Sequence, residues 1–321
     1  MRVPVRQRPA YRWRWTAALG VLAVLVLSGV VWLTVGVPQG AKAAAFTVNS
    51  TDDVDDTVCN AAHCSLREAI NAANANGATA DTITFSVSGT ITTGSQLLLT
   101  ANNTTINGGT LGSVVVSCGG GFDGFHVDSA SNTIRNLVIN SCDEGVDIDI
   151  EAADGNLVED NRLGTNAGGT VALGNTSYGV QIEGGADNNI VRDNLISGNT
   201  IAGVEIWGAG TNTNSVVGNL IGTDATGTGS IPNGDGIHDH STSANVIGGT
   251  TAADRNIISG NSDDGIEISG GTSAIVQGNC IGTAVNCSTP LPNTASTARW
   301  CRSVSTPSAR KRPTTGGAST R

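Results

Sequence analysis

Short runs of alternating apolar and polar residues occupy the middle of the chain, and Gly or Asn interrupts each run after a few residues. A period of two is typical of β-strands, because successive side chains of a strand point to opposite faces. Gly and Asn are turn residues, so each interruption indicates a change of direction. The pattern therefore predicts many short strands and an all-β protein.

Two signatures repeat along these runs. One is Asn followed by apolar residues and, in most copies, by Gly or Ser. It begins at Asn136, Asn161, Asn194, Asn219, Asn256 and Asn279. The other is Gly-apolar-any-apolar, which begins at Gly145, Gly179, Gly203 and Gly265, with an altered copy at Gly236. Copies of the first signature are 23 to 37 residues apart, a spacing that indicates one solenoid coil per repeat.

A coil of this length cannot bury its apolar side chains alone, so coils are expected to stack about 4.8 Å apart. We predict a single-stranded right-handed parallel β-helix over residues 81–294, with a narrow aliphatic core. The low aromatic content, 3%, agrees with such a core. The recurrent Asn residues are expected to form an inward ladder with a structural role, each amide bonding one coil to the next.

One segment departs from this pattern. Ser65 and Glu68 have the spacing of a capping box, and the residues that follow place an apolar stripe at helical period. We predict a short amphipathic helix here, within an N-terminal cap over 46–80, that covers the open end of the solenoid.

The N-terminal region contains 22 uncharged residues, 16–37, after five arginines in 1–15. As a helix this segment would be about 33 Å long, enough to span a bilayer core. The positive-inside rule keeps 1–15 in the cytoplasm and predicts export of the rest. Residues 38–45 are a linker or, being rich in Ala, a signal-peptidase site, so a transmembrane anchor and a cleaved signal helix both stay open.

Charge is segregated along the chain. Residues 46–298 hold five basic and all 27 acidic residues, a formal charge of −22. Such a body repels nucleic acid, and no nucleotide-binding fingerprint is present, so neither partner is expected. Residues 295–321 have no acids and no alternation, which predicts a disordered basic tail outside the repeat. The alternative is a basic tail that contacts an anionic wall polymer.

Cysteine spacing agrees with an oxidising compartment. Cys59 with Cys64, and Cys280 with Cys287, are close enough in sequence to form disulfides. For Cys118 and Cys142, a disulfide and two separate buried core residues are both open.

The run Cys64-Ser-Leu-Arg-Glu-Ala69, together with the Asn-Leu-Ile-Gly-Thr and Asn-x-Ile-Ser-Gly-Asn coils, resembles bacterial exported right-handed β-helix repeat proteins that carry the CSLREA N-terminal domain. The resemblance covers residues 46–294. It implies a pectate-lyase-like architecture in a cell-surface or secreted protein, and it implies no particular reaction.

If the Gly-apolar-any-apolar strands stack in register, they align two outward columns. The first contains Asp147, Gln181, Glu205, His238 and Glu267. The second contains Asp149, Glu183, Trp207, His240 and Ser269. This alignment surrounds Trp207 with polar groups, and a sugar ring can stack on an indole while its hydroxyls bond to acids. The predicted carbohydrate-binding residues are Trp207, Glu205, Glu183 and His238. The alternative is that the acids solubilise the sheet and Trp207 packs against a loop.

Catalysis is the second hypothesis for this face. Glu183 and Glu205 would lie about 8 Å apart, within the window of roughly 6.5–9.5 Å for an inverting glycosidase. With His238 and His240 they are the candidate catalytic residues. We favour a non-catalytic scaffold for adhesion or contact with an extracellular polysaccharide or cell-wall glycan. The alternative is a polysaccharide lyase or glycoside hydrolase.

Calcium is the one cofactor that the pattern suggests. Asp147, Asp149 and Glu151 alternate on one predicted strand, and the acids between 52 and 56 form a second cluster. Carboxylate oxygens are the ligands that calcium prefers. Asp263 and Asp264 are interpreted as turn residues.

Overall fold

The computed structural model describes residues 42–77, 79–241, 244–269, 273–295 and 299–300. Within these ranges the chain forms one helix and 25 short strands. The helix, α1, spans Leu66–Asn76. The strands form three sheets in which every pairing is parallel. The expected mostly-β architecture is therefore confirmed.

The first sheet, sheet A, has nine strands. They are β1 (Ala45–Val48), β2 (Thr82–Phe85), β5 (Thr105–Asn107), β8 (Thr133–Arg135), β11 (Leu157–Glu159), β14 (Ile190–Arg192), β17 (Ser215–Val217), β20 (Val246–Gly248) and β23 (Ile275–Gln277). Sheet B has eight. They are β3 (Gly89–Thr92), β6 (Val114–Ser117), β9 (Val138–Asn140), β12 (Arg162–Leu163), β15 (Leu195–Ile196), β18 (Leu220–Ile221), β21 (Ile257–Ile258) and β24 (Cys280–Ile281).

Sheet C also has eight strands. They are β4 (Leu97–Leu99), β7 (Phe125–Val127), β10 (Val146–Ile148), β13 (Tyr178–Ile182), β16 (Ala202–Ile206), β19 (Asp235–Asp239), β22 (Ile266–Ile268) and β25 (Arg299–Trp300). From β2 onward, successive strands enter sheets A, B and C in turn, and each pairs with the strand three places later. Three strands thus make one coil, a topology compatible with a parallel β-helix.

The core is a column of aliphatic side chains from all three sheets. Val158 of sheet A, Leu163 of sheet B and Val180 of sheet C are at most 1% exposed and belong to one continuous cluster. The Gly of the second signature permits close stacking of coils. A Cβ on Gly179 would lie 2.4 Å from the Ile196 side chain and 2.7 Å from the Gly203 carbonyl oxygen. Any larger residue there would push the coils apart.

The predicted Asn ladder exists, but with one member fewer. Its members are Asn161, Asn194, Asn219, Asn256 and Asn279, all at the corner between sheets A and B. Each amide oxygen accepts from the main-chain N–H of the preceding coil. In the coil before Asn161, the donor is Leu137 at 3.0 Å. Asn136 lies one residue before the ladder position, at φ 59°, the left-handed position that Asp160 occupies in the next coil, and its amide donates instead to the Asn107 side chain of the preceding coil at 3.0 Å.

Two further Asn ladders occupy the other two corners. Between sheets C and A the members are Asn132, Asn156, Asn189, Asn214 and Asn245. Between sheets B and C they are Asn175, Asn199, Asn233, Asn261 and Asn293. Sequence reasoning missed both. Their spacing of 24 to 34 residues is the signal that could have found them.

The predicted short helix and its capping box are present. Ser65 and Glu68 form a complete capping box on α1. The apolar stripe of α1 is buried in the same cluster as the strands, and the helix contacts β1 and β4, the terminal strands of sheets A and C. The helix therefore covers the end of the coil stack. A disulfide joins Cys59 to Cys64, whose carbonyl accepts from the main-chain N–H of Asn49, directly after β1.

Two other disulfides are present among the described residues. Cys280 pairs with Cys287, as predicted, and Cys118 pairs with Cys142, which decides between the two alternatives for those residues. Three disulfides favour an oxidising, extracytoplasmic compartment. No helix in the described ranges is long and apolar enough to cross a membrane. The predicted apolar span, 16–37, lies outside those ranges.

The repeat extends further than the sequence indicated. Strand β25 pairs in parallel with β22, with Glu267 opposite Arg299 and Ile268 opposite Trp300. The prediction that everything from residue 295 stands outside the repeat was therefore wrong. Strand pairing uses main-chain groups, so a strand can join the sheet without the Gly-apolar signature. Residues 301–321 lie outside the described ranges.

Candidate functional site

Sheet C presents a polar face that runs along six consecutive strands, β7, β10, β13, β16, β19 and β22. We call it the C face, and it has three columns. The central column is His126, Asp147, Gln181, Glu205, His238 and Glu267. The second is Asp128, Asp149, Glu183, Trp207, His240 and Ser269. The third is Asp123, Glu144, Tyr178, Ala202, Asp235 and Asp264. The two predicted columns are confirmed in register, and the third was not predicted.

Acidic residues and histidines of the chain are concentrated on this face. Its 18 positions carry ten of the 27 acids, three of the four histidines and two aromatic residues. In the sequence, the repeated segment acid-Gly-apolar-x-apolar-x indicates how far this face extends. Two coils even share Asp-Gly-apolar-His, at Asp123 and Asp235.

Trp207 stands out on this face because its side chain is 50% exposed. Its ring packs against His240, with centroids 5.0 Å apart and planes inclined by 56°. The predicted exposure is confirmed. An indole held on one side by a histidine and open on the other is a surface on which an apolar ring face can stack.

Glu205 lies in the predicted column but is only 1% exposed, so it cannot meet a ligand as a free surface carboxylate. Its Oε2 atom is 3.0 Å from Nδ1 of His238. Glu183 is half-buried and accepts from Gln181 Nε2 at 3.3 Å. Burial, together with the charges of nearby acids, raises the pKa of Glu183. Glu183 and Glu205 were predicted to be two outward carboxylates, but Glu183 is half-buried and Glu205 is fully buried.

The two neighbouring histidines contact each other and Glu205. Nε2 of His240 lies 3.0 Å from Nδ1 of His238. Burial opposes charging of His238, but the carboxylates of Glu205 and Glu267 outweigh it and raise the pKa of His238. Burial, followed by the charge of His238, lowers the pKa of His240. One imidazole is therefore favoured charged and the other neutral.

A second polar cluster lies around His126, three coils from Glu205 and four from His238, and sequence reasoning missed it. Nδ1 of His126 is 3.2 Å from Asp123 Oδ2 and 2.9 Å from Asp147 Oδ2, while its Nε2 is 3.2 Å from Asp128 Oδ1. Hydrogen bonds to Asp123 and Asp147 raise the pKa of His126 to about 10. The histidine is therefore charged at neutral pH and balances its carboxylates.

Glu144 lies beside this cluster. Burial, and then a hydrogen bond with Asp123, raises the pKa of Glu144 to about 9. Burial opposes ionisation of Asp123, but hydrogen bonds from His126 and Glu144 outweigh it, so the pKa of Asp123 lies below its usual value. The pair holds one protonated and one ionised carboxyl group at neutral pH. Environments that push two pKa values apart are what general acid–base chemistry uses.

Stability should consequently fall as pH rises. Glu144 and His126 bind protons more tightly in the folded state. Their contributions to the free energy of unfolding are therefore complete below their ordinary pKa values, 4.5 and 6.5, and are lost as the pH rises to about 9 and 10.

We expect Glu144→Gln to raise the free energy of unfolding at pH 8 by about 1–2 kcal/mol, allowing for solvent screening. The variant should also flatten the decline between pH 5 and 9 in thermal unfolding. The matched control is Glu151→Gln, at an exposed carboxylate. Identical pH profiles for wild type and Glu144→Gln would contradict this assignment.

The predicted calcium ligands do not converge. Among the described residues, the groups of side chains close enough to share an ion join Asp147 to Asp123 and His126, and they include neither Asp149 nor Glu151. The reason is geometric, since alternate residues of a strand are about 6.6 Å apart, and Ile150 at φ 74° turns the chain before Glu151.

The N-terminal acids are also engaged elsewhere. Asp53 forms an ion pair with Arg67 at 2.8 Å, and Asp52 lies 3.0 Å from His63. The arrangement that best fits a metal is Glu205 with His238 and His240, a mixed nitrogen and oxygen set.

No protein-family model and no curated protein sequence matches this chain. Among solved structures it is similar to the crystal structure of the Agl-KA catalytic domain, with 18% identity and a TM-score of 0.34. The match covers 68% of this chain and 45% of that chain, so it spans less than half of the solved structure. A likeness this low supports no functional argument. The resemblance to CSLREA-bearing proteins stays a prediction.

Proposed function

We propose that this chain is an exported right-handed β-helix protein of the CSLREA-bearing kind, whose C face binds an extracellular polysaccharide without cleaving it. The half-exposed indole of Trp207 carries the proposal, because it lies among side chains that can bond to sugar hydroxyls. The right hand follows from the strong preference of parallel crossover connections. The apolar span 16–37 either anchors the protein to the membrane or is removed during export.

The CSLREA motif supports the family assignment because each part has a task in the cap. Cys64 forms the disulfide, and Ser65 with Glu68 closes the capping box. Arg67 binds Asp53 and also donates to two main-chain carbonyls, those of Ser95 and Gln96. The residues of the motif therefore hold the cap together, as expected of a family signature.

The charge of the body supports the choice of partner. A formal charge of −22 over residues 46–298 disfavours nucleic acids and bare polyanions. A neutral or basic polysaccharide, with hydroxyls that donate to carboxylates, is compatible with this surface. The partner we propose is thus a cell-wall or extracellular glycan of low negative charge.

A glycan-binding screen tests the proposal directly. Trp207→Ala is expected to weaken binding about tenfold, the size of one lost stacking interaction. The matched control is Ile275→Ala, because Ile275 is 48% exposed but lies on sheet A. Binding would be measured on an array of neutral, basic and acidic polysaccharides. Equal signals from wild type and Trp207→Ala would remove the stacking role.

A second candidate function is hydrolysis of the bound glycan, with Glu144 as the proton donor. The raised pKa of Glu144 keeps its carboxyl group protonated at neutral pH, as a general acid requires. The same polysaccharides should therefore be incubated with the protein and assayed for new reducing ends. Product from any of them, lost in Glu144→Gln, would favour this second candidate over simple binding.

A further inference from the structure

Three side chains of the C face converge on one point from two adjacent strands. Glu205 of β16 is paired in register with His238 of β19. His240 follows two residues later, so both imidazoles lie on the same side of the strand. One ligand atom from each of Glu205, His238 and His240 lies within 4.8 Å of the other two.

The separations fit a small cation. Two of them are 3.0 Å, from His238 Nδ1 to Glu205 Oε2 and from His238 Nδ1 to His240 Nε2. Zinc binds nitrogen and oxygen ligands at about 2.0–2.1 Å, which sets tetrahedral ligands about 3.3 Å apart. A shift of a few tenths of an ångström would therefore admit the ion.

Each imidazole is also supported on its far side. His240 Nδ1 contacts the hydroxyl of Ser269, and His238 Nε2 lies 3.2 Å from Glu267 Oε2 in a charge contact without hydrogen-bond geometry. Histidines that bind metals almost always direct their other nitrogen to a carboxylate or similar partner, which holds the ring in place. A purely surface-solubilising arrangement has no need of this second layer.

Burial of the carboxylate is an independent indication. Glu205 is 1% exposed, and its Oε2 makes no hydrogen bond of good geometry despite the nearby imidazole. A buried carboxylate is unfavourable unless a cation balances it. A charged His238 does so in the metal-free protein, and a metal ion that displaces this proton would do so instead. The position of that oxygen, directed at the two imidazole nitrogens, is where a cation would bind.

We propose that Glu205, His238 and His240 bind one divalent transition-metal ion of the zinc class. Two imidazoles and one carboxylate suit zinc, whereas calcium prefers ligand sets made only of oxygen. Three protein ligands leave a fourth tetrahedral position for water or a sugar hydroxyl. Because the Trp207 ring packs on His240, a glycan stacked on that ring lies next to the metal.

Other clusters of the described residues fit a metal less well. The group of Asp123, His126 and Asp147 has one histidine, and that imidazole is fully used as a charged partner of carboxylates. Near the cap, both oxygens of Glu68 accept main-chain N–H groups, from Asp56 and Ser65. Glu68 therefore has a structural role in the cap.

Titration of the full exported protein with zinc tests the proposal. The protein would be purified without a histidine tag, treated with a chelator and titrated with Zn²⁺ in a calorimeter. We expect one equivalent to bind. His240→Ala should weaken binding at least 100-fold, and Ser269→Ala, which changes only the supporting layer, about tenfold. Replacement by Co²⁺ should give the visible absorption of a tetrahedral ion.

His126→Ala is the matched control, since it removes a histidine from the same face and leaves the proposed ligands intact. It should bind zinc as wild type does. Far-ultraviolet circular dichroism would establish that each variant is folded. If His240→Ala does not fold, Ser269→Ala still provides the test. Absence of stoichiometric binding, or loss of binding in His126→Ala but not in His240→Ala, would overturn the assignment. Glycan binding to the metal-free protein is a separate measurement, so the two proposals can fail independently.

Discussion

Replacing Asn219 by Ala is expected to lower the free energy of unfolding by about 3–4 kcal/mol. The Asn219 side chain is fully buried, and its amide accepts from Asn194 and donates to the carbonyl of Val191 in the preceding coil. Ala would leave these buried donors and acceptors unsatisfied, at about 1–3 kcal/mol for each group before relaxation. Denaturant unfolding followed by circular dichroism would measure the loss.

Asn286→Ala is the matched control for Asn219→Ala. Asn286 is exposed, and its amide bonds only to residues of its own turn, Ser288 and Thr289. We expect a loss below about 1 kcal/mol, as is usual for exposed turn positions. Comparable losses at Asn219 and Asn286 would show that the corner ladder does not stabilise the coil stack.

Removing the disulfide between Cys118 and Cys142 should cost about 3 kcal/mol of stability. The two cysteines follow β6 and β9, which are neighbours in sheet B, so the bond joins consecutive coils 24 residues apart. Chain entropy of a loop of this length in the unfolded state predicts the figure. The double variant Cys118→Ala with Cys142→Ala would be compared with wild type by denaturant unfolding.

The comparison variant removes Cys59 and Cys64, whose separation of five residues closes a much shorter loop. Its expected loss is about 2 kcal/mol, because a short loop restrains the unfolded chain less. A larger loss from the shorter loop would contradict the entropic account and point to the packing of Cys64 in the cap.

Sequence alone predicted the features that depend on short-range pattern or on repetition. The strands follow from a period of two, the helix cap from the spacing of Ser65 and Glu68, and the two columns through Glu205 and Trp207 from aligned copies of one signature. These inferences held because each coil of a solenoid repeats the geometry of its neighbour, so an alignment of the sequence with itself is also an alignment in space.

The same method failed where one residue or one loop changed the register. Asn136 matches the Asn signature but sits one residue before the ladder position, which Leu137 occupies. The other two ladders were missed because most of their Asn residues lack the Gly or Ser that completes the Asn signature. Strand β25 was missed because Arg299 and Trp300 carry no repeat signature, although their main chain pairs with β22.

The sequence by itself thus determined the class of fold, the coil length, the capping helix and the two columns of sheet C from Asp147 and Asp149 onward. Only the tertiary structure decided that Glu205 is buried, that Cys118 pairs with Cys142 and that His238 and His240 converge on the same carboxylate. The physical reason is that register follows from main-chain hydrogen bonds, which every residue can make. Burial and convergence depend on side chains from several coils at once, and these are neighbours in space but lie 24 or more residues apart in the chain.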